Sequence, residues 1–370
     1  ELTRSGSPIS LFARLSTESK TFRLWAATGQ NFQNQYTRKV DVFFFSANSI
    51  FYTSSLISFL ILMLIGRSWP TLVSKVEAIE SRLPPFTRNV GAMSNVTTIF
   101  ILVAAIVEHL LSVFYGLKVA CACDMNNVAE NYFHFNMPWI FDYTPYAVWK
   151  GVLSELFNIQ STFIWSLNDL LIMVISIYLT EHFLIHNELL KKAVEQEHFS
   201  CHEFRTQYLK IVRLVKLING QFGIYILTSF GSNLYWICTQ LFYSLRALNG
   251  VEHSIYFTYS FSFLLLRTLF VLLLAARIHS NSVAPLYVLY GIPSARFHAE
   301  VERFIAQINN LKVAMSGLDF FYVTRTMILT VSMTSTVGHM PPPSVITMNG
   351  PVRLASIGFP QPLSGHRPTL

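Results

Sequence analysis

Charge is scarce in this chain. Asp, Glu, Lys and Arg supply 13% of the 370 residues, against 52% hydrophobic and 14% aromatic, a balance that excludes an ordinary soluble domain. Cysteine is sparse as well, at four residues. Cys121 and Cys123 lie two apart, a separation that rarely bridges, and Cys201 falls in a basic stretch assigned below to the cytoplasm, so no disulfide framework is expected. The first 41 residues show no secretory signal pattern. No phosphate-binding glycine loop, zinc-protease HExxH or recognisable nucleophile arrangement occurs. We therefore expect neither an enzyme nor a cofactor. Membrane topology accounts for the net charge of +7, which gives no support to a nucleic-acid partner.

What the chain has instead is long apolar runs. A helix needs roughly 20 apolar residues to cross a bilayer, and segments 42–65, 97–117, 153–180, 217–245 and 254–276 qualify. The first and fourth carry no charge at all. A sixth, 318–340, is interrupted by Asp319 and Arg325 before it meets Pro341, Pro342 and Pro343. The expected fold is an all-α, polytopic transmembrane helical bundle with five clear spans and one truncated span, surrounded by membrane lipid.

Lysine and arginine set the orientation, because they favour the cytoplasmic side of short loops. Segments 66–96, 181–216 and 277–325 hold four, six and five of them, while 118–152 and 246–253 hold two and one. The basic set is placed in the cytoplasm, and 118–152 outside. This alternation sends residues 1–41 outside although they carry six lysines and arginines. Either a first helix is missing between Arg23 and Arg38, or a polar arm is translocated. The sequon Asn95-Val96-Thr97 falls inside and is expected to stay unmodified.

Polar groups within the spans are few and costly there, which makes them candidates for function. Glu108 and His109 sit near the middle of the second span; Trp165, Asn168 and Asp169 lie at comparable depth in the third. The fourth offers Asn233, Tyr235, Trp236 and Gln240, and the fifth Tyr256, Tyr259 and Arg267. All fall between mid-membrane and the outer leaflet. The distribution points to a pocket open to the outside, with carboxylates and amides as hydrogen-bond partners and aromatic rings as flat walls. Sugars suit such a pocket, since their hydroxyls need paired donors and acceptors while their C–H faces lie against rings. A competing reading stays open: Glu108, Asp169 and Arg267 neutralise one another and the aromatics are core or interface belt.

Two HxxxH spacings, His182 with His186 and His198 with His202, each share a helix face. Such pairs can ligate metal, as in membrane di-iron enzymes. The absence of an HxxHH box and the scatter of the other seven histidines argue against it.

The run SFLLLRTLFVLLLAARIHSNSVAPLYVLYGIPSARFHAEVERFIAQI, followed by VAMSGLDFFYVTRTMILTV, resembles the carboxy-terminal signature of insect gustatory receptors, in their sugar-sensing branch. IGRSWPTLVSKVEAIESRLPP, IVEHLLS, SLNDLLIMVISIYL and GSNLYWICTQLFYSL resemble the branch's successive spans and their flanks. The likeness covers residues 40–331. It implies a seven-helix, multi-pass plasma-membrane protein, four copies of which form a ligand-gated cation channel as a homo- or hetero-tetramer, with the seventh helices lining the pore. It also implies a sugar-binding pocket in the outer halves of the earlier helices, carried here onto Glu108, His109, Trp165, Asp169, Asn233, Tyr235 and Trp236. Cytoplasmic anchor helices are expected within 181–216 and 277–317.

Two departures from that family are visible. The family's first span is expected to be missing from 1–41, which leaves the receptor domain as 42–331. The family's seventh helix continues with a Thr-Tyr pair and later a glutamine, whereas here TSTVGHMPPPSVITMNG follows Met333. Proline lacks the amide donor and blocks helix continuation, so 332–370 reads as a disordered Pro-rich tail. These 370 residues alone are accordingly expected to give no sugar-evoked current. Two other readings remain: a non-conducting regulatory subunit that binds full-length partners, and a G-protein-coupled receptor, which the distribution of basic residues disfavours.

Overall fold

The computed structural model describes residues 47–123, 125, 127–196, 200–244 and 250–326. The proposed missing helix and the Pro-rich tail fall outside them. Five of the described helices are long and apolar enough to cross a membrane. They are α1 (Ala47–Glu80), α2 (Val90–Cys123), α5 (Val148–Glu195), α6 (Cys201–Ser244) and α7 (Val251–Val283). Short helices α3 (Val128–Asn136) and α4 (Pro138–Phe141) fill the α2–α5 connection, and α8 (Pro285–Tyr290) and α9 (Ala299–Asn310) follow α7.

Local chemistry explains the ends. Pro84 and Pro85 follow the last turn of α1 and keep the chain extended. Asn89 then caps α2, its Oδ1 accepting the Ala92 amide at 2.9 Å. Gly250 opens α7 at φ 86°, a conformation that a side chain resists.

α5 is the axis of the bundle and packs against α2, α6 and α7. Its Leu170, Ile172, Met173, Ile177 and Leu179 are buried, as are Tyr225 and Ile226 of α6 and Val271, Ala275 and Ile278 of α7. α1 and α2 leave most of their apolar surface outward, including Leu56, Leu60, Leu64, Phe100, Val103 and Leu110. A bilayer supplies the solvent those side chains need.

The long helices exceed the bilayer. At 48 residues, α5 is about 72 Å long, more than twice a hydrocarbon core of about 30 Å. Its lower end packs with the start of α6 and with α9 around Tyr208, whose ring centre lies 5.9 Å from that of Phe183 and 5.5 Å from that of Phe304. α9 buries Val301, Phe304, Ile305 and Ile308, the spacing of one apolar helix face. Arg205 of α6 joins Glu300 of α9 at 3.2 Å.

The segment read as a sixth span from residue 318 does not begin as a helix. Leu318 and Asp319 take φ values of 53° and 60°, and an antiparallel bridge joins Ser316 to Tyr322. Asp319 holds this turn: its amide donates to Ser316 Oγ at 2.7 Å, and its Oδ1 accepts from Ser316 and Tyr322. Local side-chain bonds of this kind compete with helix. The chain turns helical only at residues 325–326, and the rest of 318–340 lies outside the described residues.

Candidate functional site

The polar residues picked out along the spans fall into two tiers. The inner tier is built around Asp169 of α5, which is 0% exposed. Arg267 of α7 places Nε 2.8 Å from Asp169 Oδ2. From α6, Ser229 Oγ donates to Oδ1 at 2.6 Å, and Asn233 Nδ2 reaches both carboxylate oxygens at 2.9 and 3.1 Å. Ser229 and Asn233 lie four apart and so share one face of α6. Three helices thus converge on one carboxylate.

Trp165, one turn outward on α5, binds into the same network. Its Nε1 donates to Asn233 Oδ1 at 3.1 Å, and the Arg267 guanidinium lies 4.3 Å over its ring, a cation–π arrangement that is strong when dehydrated. Trp236 stands 5.8 Å from Trp165, and Phe51 of α1 meets both, at 6.3 and 5.9 Å. Tyr235 reaches the group edge-on through Trp236 at 5.4 Å. The rings fill the space above the ion pair by touching one another.

The outer tier holds Glu108 and His109. Glu108 accepts from Ser260 Oγ of α7 at 2.8 Å. His109 Nε2 stands 3.8 Å from Glu155 Oε1 of α5, beyond hydrogen-bond distance. Both Glu155 oxygens are closed off from solvent, and neither accepts a hydrogen bond among the described residues. Glu155 lies ten residues outward of Trp165, about 15 Å along the helix. Tyr132 of α3 faces it; burial, and then the Glu155 charge, pushes the Tyr132 phenol up to about 12. Tyr52 of α1 joins this region to Trp139 of α4, with ring centres 5.9 Å apart.

Of the seven residues expected at the site, Trp165, Asp169, Asn233 and Trp236 therefore meet directly, Tyr235 joins them through Trp236, and Glu108 and His109 occupy the second tier. Asp169 has no free acceptor position facing outward, since Ser229, Asn233 and Arg267 surround it. Glu155, Ser229, Phe51, Tyr52 and Trp139 were not singled out from sequence. Glu155 had a signal, being a charge inside the run 153–180. Phe51 had none, because an aromatic ring in an apolar helix looks the same facing lipid or pocket.

His182 and His186 are taken up by packing. His182 lies 4.6 Å from the Phe86 ring and 4.9 Å from Tyr178, and His186 Nε2 donates to the Phe204 carbonyl at 3.0 Å. No group of three or more His, Cys, Asp or Glu that could hold a metal occurs among the described residues; His198 is outside them. Two open grooves of about 350 and 500 Å³ lie toward the cytoplasmic end, the first lined by Arg88, Glu181 and Lys191 and the second by His279, Tyr287 and Thr324. Neither contains a residue of the two tiers.

The family profile described as trehalose receptor matches residues 29–338. Gustatory receptor 5a for trehalose of Drosophila melanogaster is 32% identical over 292 residues, covering 77% of this chain and 66% of the relative. Gustatory receptor for sugar taste 64f of the same species is 30% identical over 293 residues, covering 77% and 62%. The chain thus spans just under two thirds of the length of these curated relatives. Among solved structures, the insect olfactory receptor OR5 from Machilis hrabei superposes with a TM-score of 0.55 at 16% identity, covering 79% of this chain and 78% of that one. At that identity the likeness concerns the fold.

Proposed function

The chain belongs to the trehalose receptor family, and on that premise we propose that it is a sugar-taste receptor, a subunit of a ligand-gated cation channel opened from outside. The observation that carries this reading is the meeting of Trp165, Trp236 and Phe51 directly above the Asp169–Arg267–Asn233 network. Indole faces offer the flat apolar walls that sugar C–H surfaces require, and the network below fixes their positions on three helices. In this reading Trp236, Tyr235 and His109 meet the sugar, while Asp169, Asn233 and Trp165 form the floor.

Because the rings touch one another in this conformation, a sugar enters by parting Trp236 from Trp165 and Phe51. That separation moves α6 relative to α5 and α1. A ligand shifts such an equilibrium only through its differential affinity for the two arrangements. The lower ends of α5 and α6, with α9, would then serve as the anchor through which copies of the subunit assemble as a tetramer.

Titration of the purified 370-residue chain in lipid nanodiscs with trehalose and sucrose, read by tryptophan fluorescence, tests the pocket. Saturable binding of at least one sugar is expected, weakened about tenfold or more by Trp236→Ala. Unchanged affinity in that variant contradicts the assigned pocket.

A further inference from the structure

A buried carboxylate stays charged without large cost only if something hydrogen-bonds it. Asp169 meets that condition through three hydrogen bonds and is paired with the Arg267 charge besides, and Glu108 has Ser260. Glu155 has less: both oxygens are buried, and the one hydroxyl turned toward them is the Tyr132 phenol, in a contact too loose for a well-formed hydrogen bond. Its surroundings are those of a recognition site and not of a helix core. His109 stands at 3.8 Å. Tyr132 lies close enough to feel the carboxylate's charge and to direct its hydroxyl at it; Asn136, one turn further along α3, packs on Gly116 of α2 and carries a buried Nδ2 without a partner among the described residues. A carboxylate with unfilled acceptor capacity thus lies beside an imidazole and a phenol, at the outer end of the bundle. Sites of this make-up suit a ligand with hydroxyls on adjacent carbons, because one carboxylate takes two O–H donors side by side.

We propose that Glu155 is the residue by which the receptor recognises the hydroxyl groups of its ligand, accepting two hydrogen bonds from neighbouring hydroxyls of the bound sugar, while Asp169 is structural. This rests on the sugar reading above and adds to it a residue and a division of labour between the two carboxylates. An unfilled buried acceptor destabilises the free protein, and a site built to bond a hydroxyl discriminates sharply against ligands lacking it.

The test is Glu155→Gln, with Glu155→Asp and Trp236→Ala beside it, each measured for trehalose and sucrose affinity in nanodiscs and for thermal unfolding without sugar. Glu155→Gln should weaken binding about ten- to a hundredfold while its unfolding temperature stays the same or rises, and Glu155→Asp should recover part of the affinity. A purely structural Glu155 would instead lower the unfolding temperature with affinity unchanged, which overturns the proposal. If Trp236→Ala weakens binding and Glu155→Gln does not, the role of Glu155 falls while the sugar pocket stands. If the unaltered chain binds neither sugar, the pocket reading falls and the proposal with it.

Discussion

Arg267 is 2% exposed and makes its direct ion pair with Asp169, with Glu108 close enough to interact with its charge. Removing the Asp169 carboxylate leaves a cation in an apolar bundle, and breaking a buried pair from one side costs about 3–5 kcal/mol. Asp169→Asn is therefore expected to lower the unfolding temperature sharply in a detergent thermal-shift assay. The double change Asp169→Leu with Arg267→Leu should be milder than either change alone, since well-packed apolar residues of similar volume replace such pairs at little cost. A double variant as unstable as the sum of its parts would show that the pair is held by more than its own charges. Asp169 and Arg267 were both visible in the sequence as charges inside apolar runs. Their pairing was not, because the 97 positions between them carry no signal of which helix faces which. Ser229 could have been inferred from Asn233, four residues on along one face of α6; Glu155 was passed over because it lies near the end of its run, where a charge is cheaper to place.

At the level of elements, hydropathy located the five spans, and the helices that contain them run on beyond the apolar segments. α1 runs on to Glu80, through Gly66 and Pro70, where the apolar run had ended at 65. α6 is one helix from Cys201 to Ser244, although its basic lower half and apolar upper half read as two segments. The reason is physical: hydropathy reports where a helix meets lipid, and a helix that leaves the membrane keeps its backbone bonds while changing its side chains. The turn at 316–323 escaped because Leu318 takes a positive φ that leucine does not announce, and the neighbouring Asp319, a residue type that adopts it more readily, read as a charge interrupting an apolar run. α9 was legible as amphipathic, and its docking follows from Phe304, which is fully buried against Tyr208 and His186. Phe304→Ala is expected to cost about 3–5 kcal/mol and to expose α9 to protease ahead of the bundle. Equal digestion of the two proteins would mean that α9 is held by its Glu300 ion pairs alone.

For the molecule as a whole, the distribution of lysine and arginine and the depth of the polar tiers agree on one picture. The basic lower ends of α5 and α6 lie on one side of the bilayer, and the tiers rise toward the other. Long helices join the two, and Phe230, one turn below Asn233, meets Phe321 of the turn at 316–323 at 5.4 Å, a contact through which the proposed displacement at Trp236 would reach that turn. The all-helical, membrane-spanning fold was readable from composition; the division of the polar residues into an inner tier around Asp169 and an outer one around Glu155 required coordinates. The central claim, that the outer halves of these helices hold a sugar, is tested most directly by an electron cryomicroscopy map of the protein saturated with trehalose. Ligand density is expected between Trp236, His109 and Glu155, with the Trp165–Trp236 pair opened. Ligand density confined to the cytoplasmic grooves, or the outer tier unchanged at saturating sugar, would contradict it.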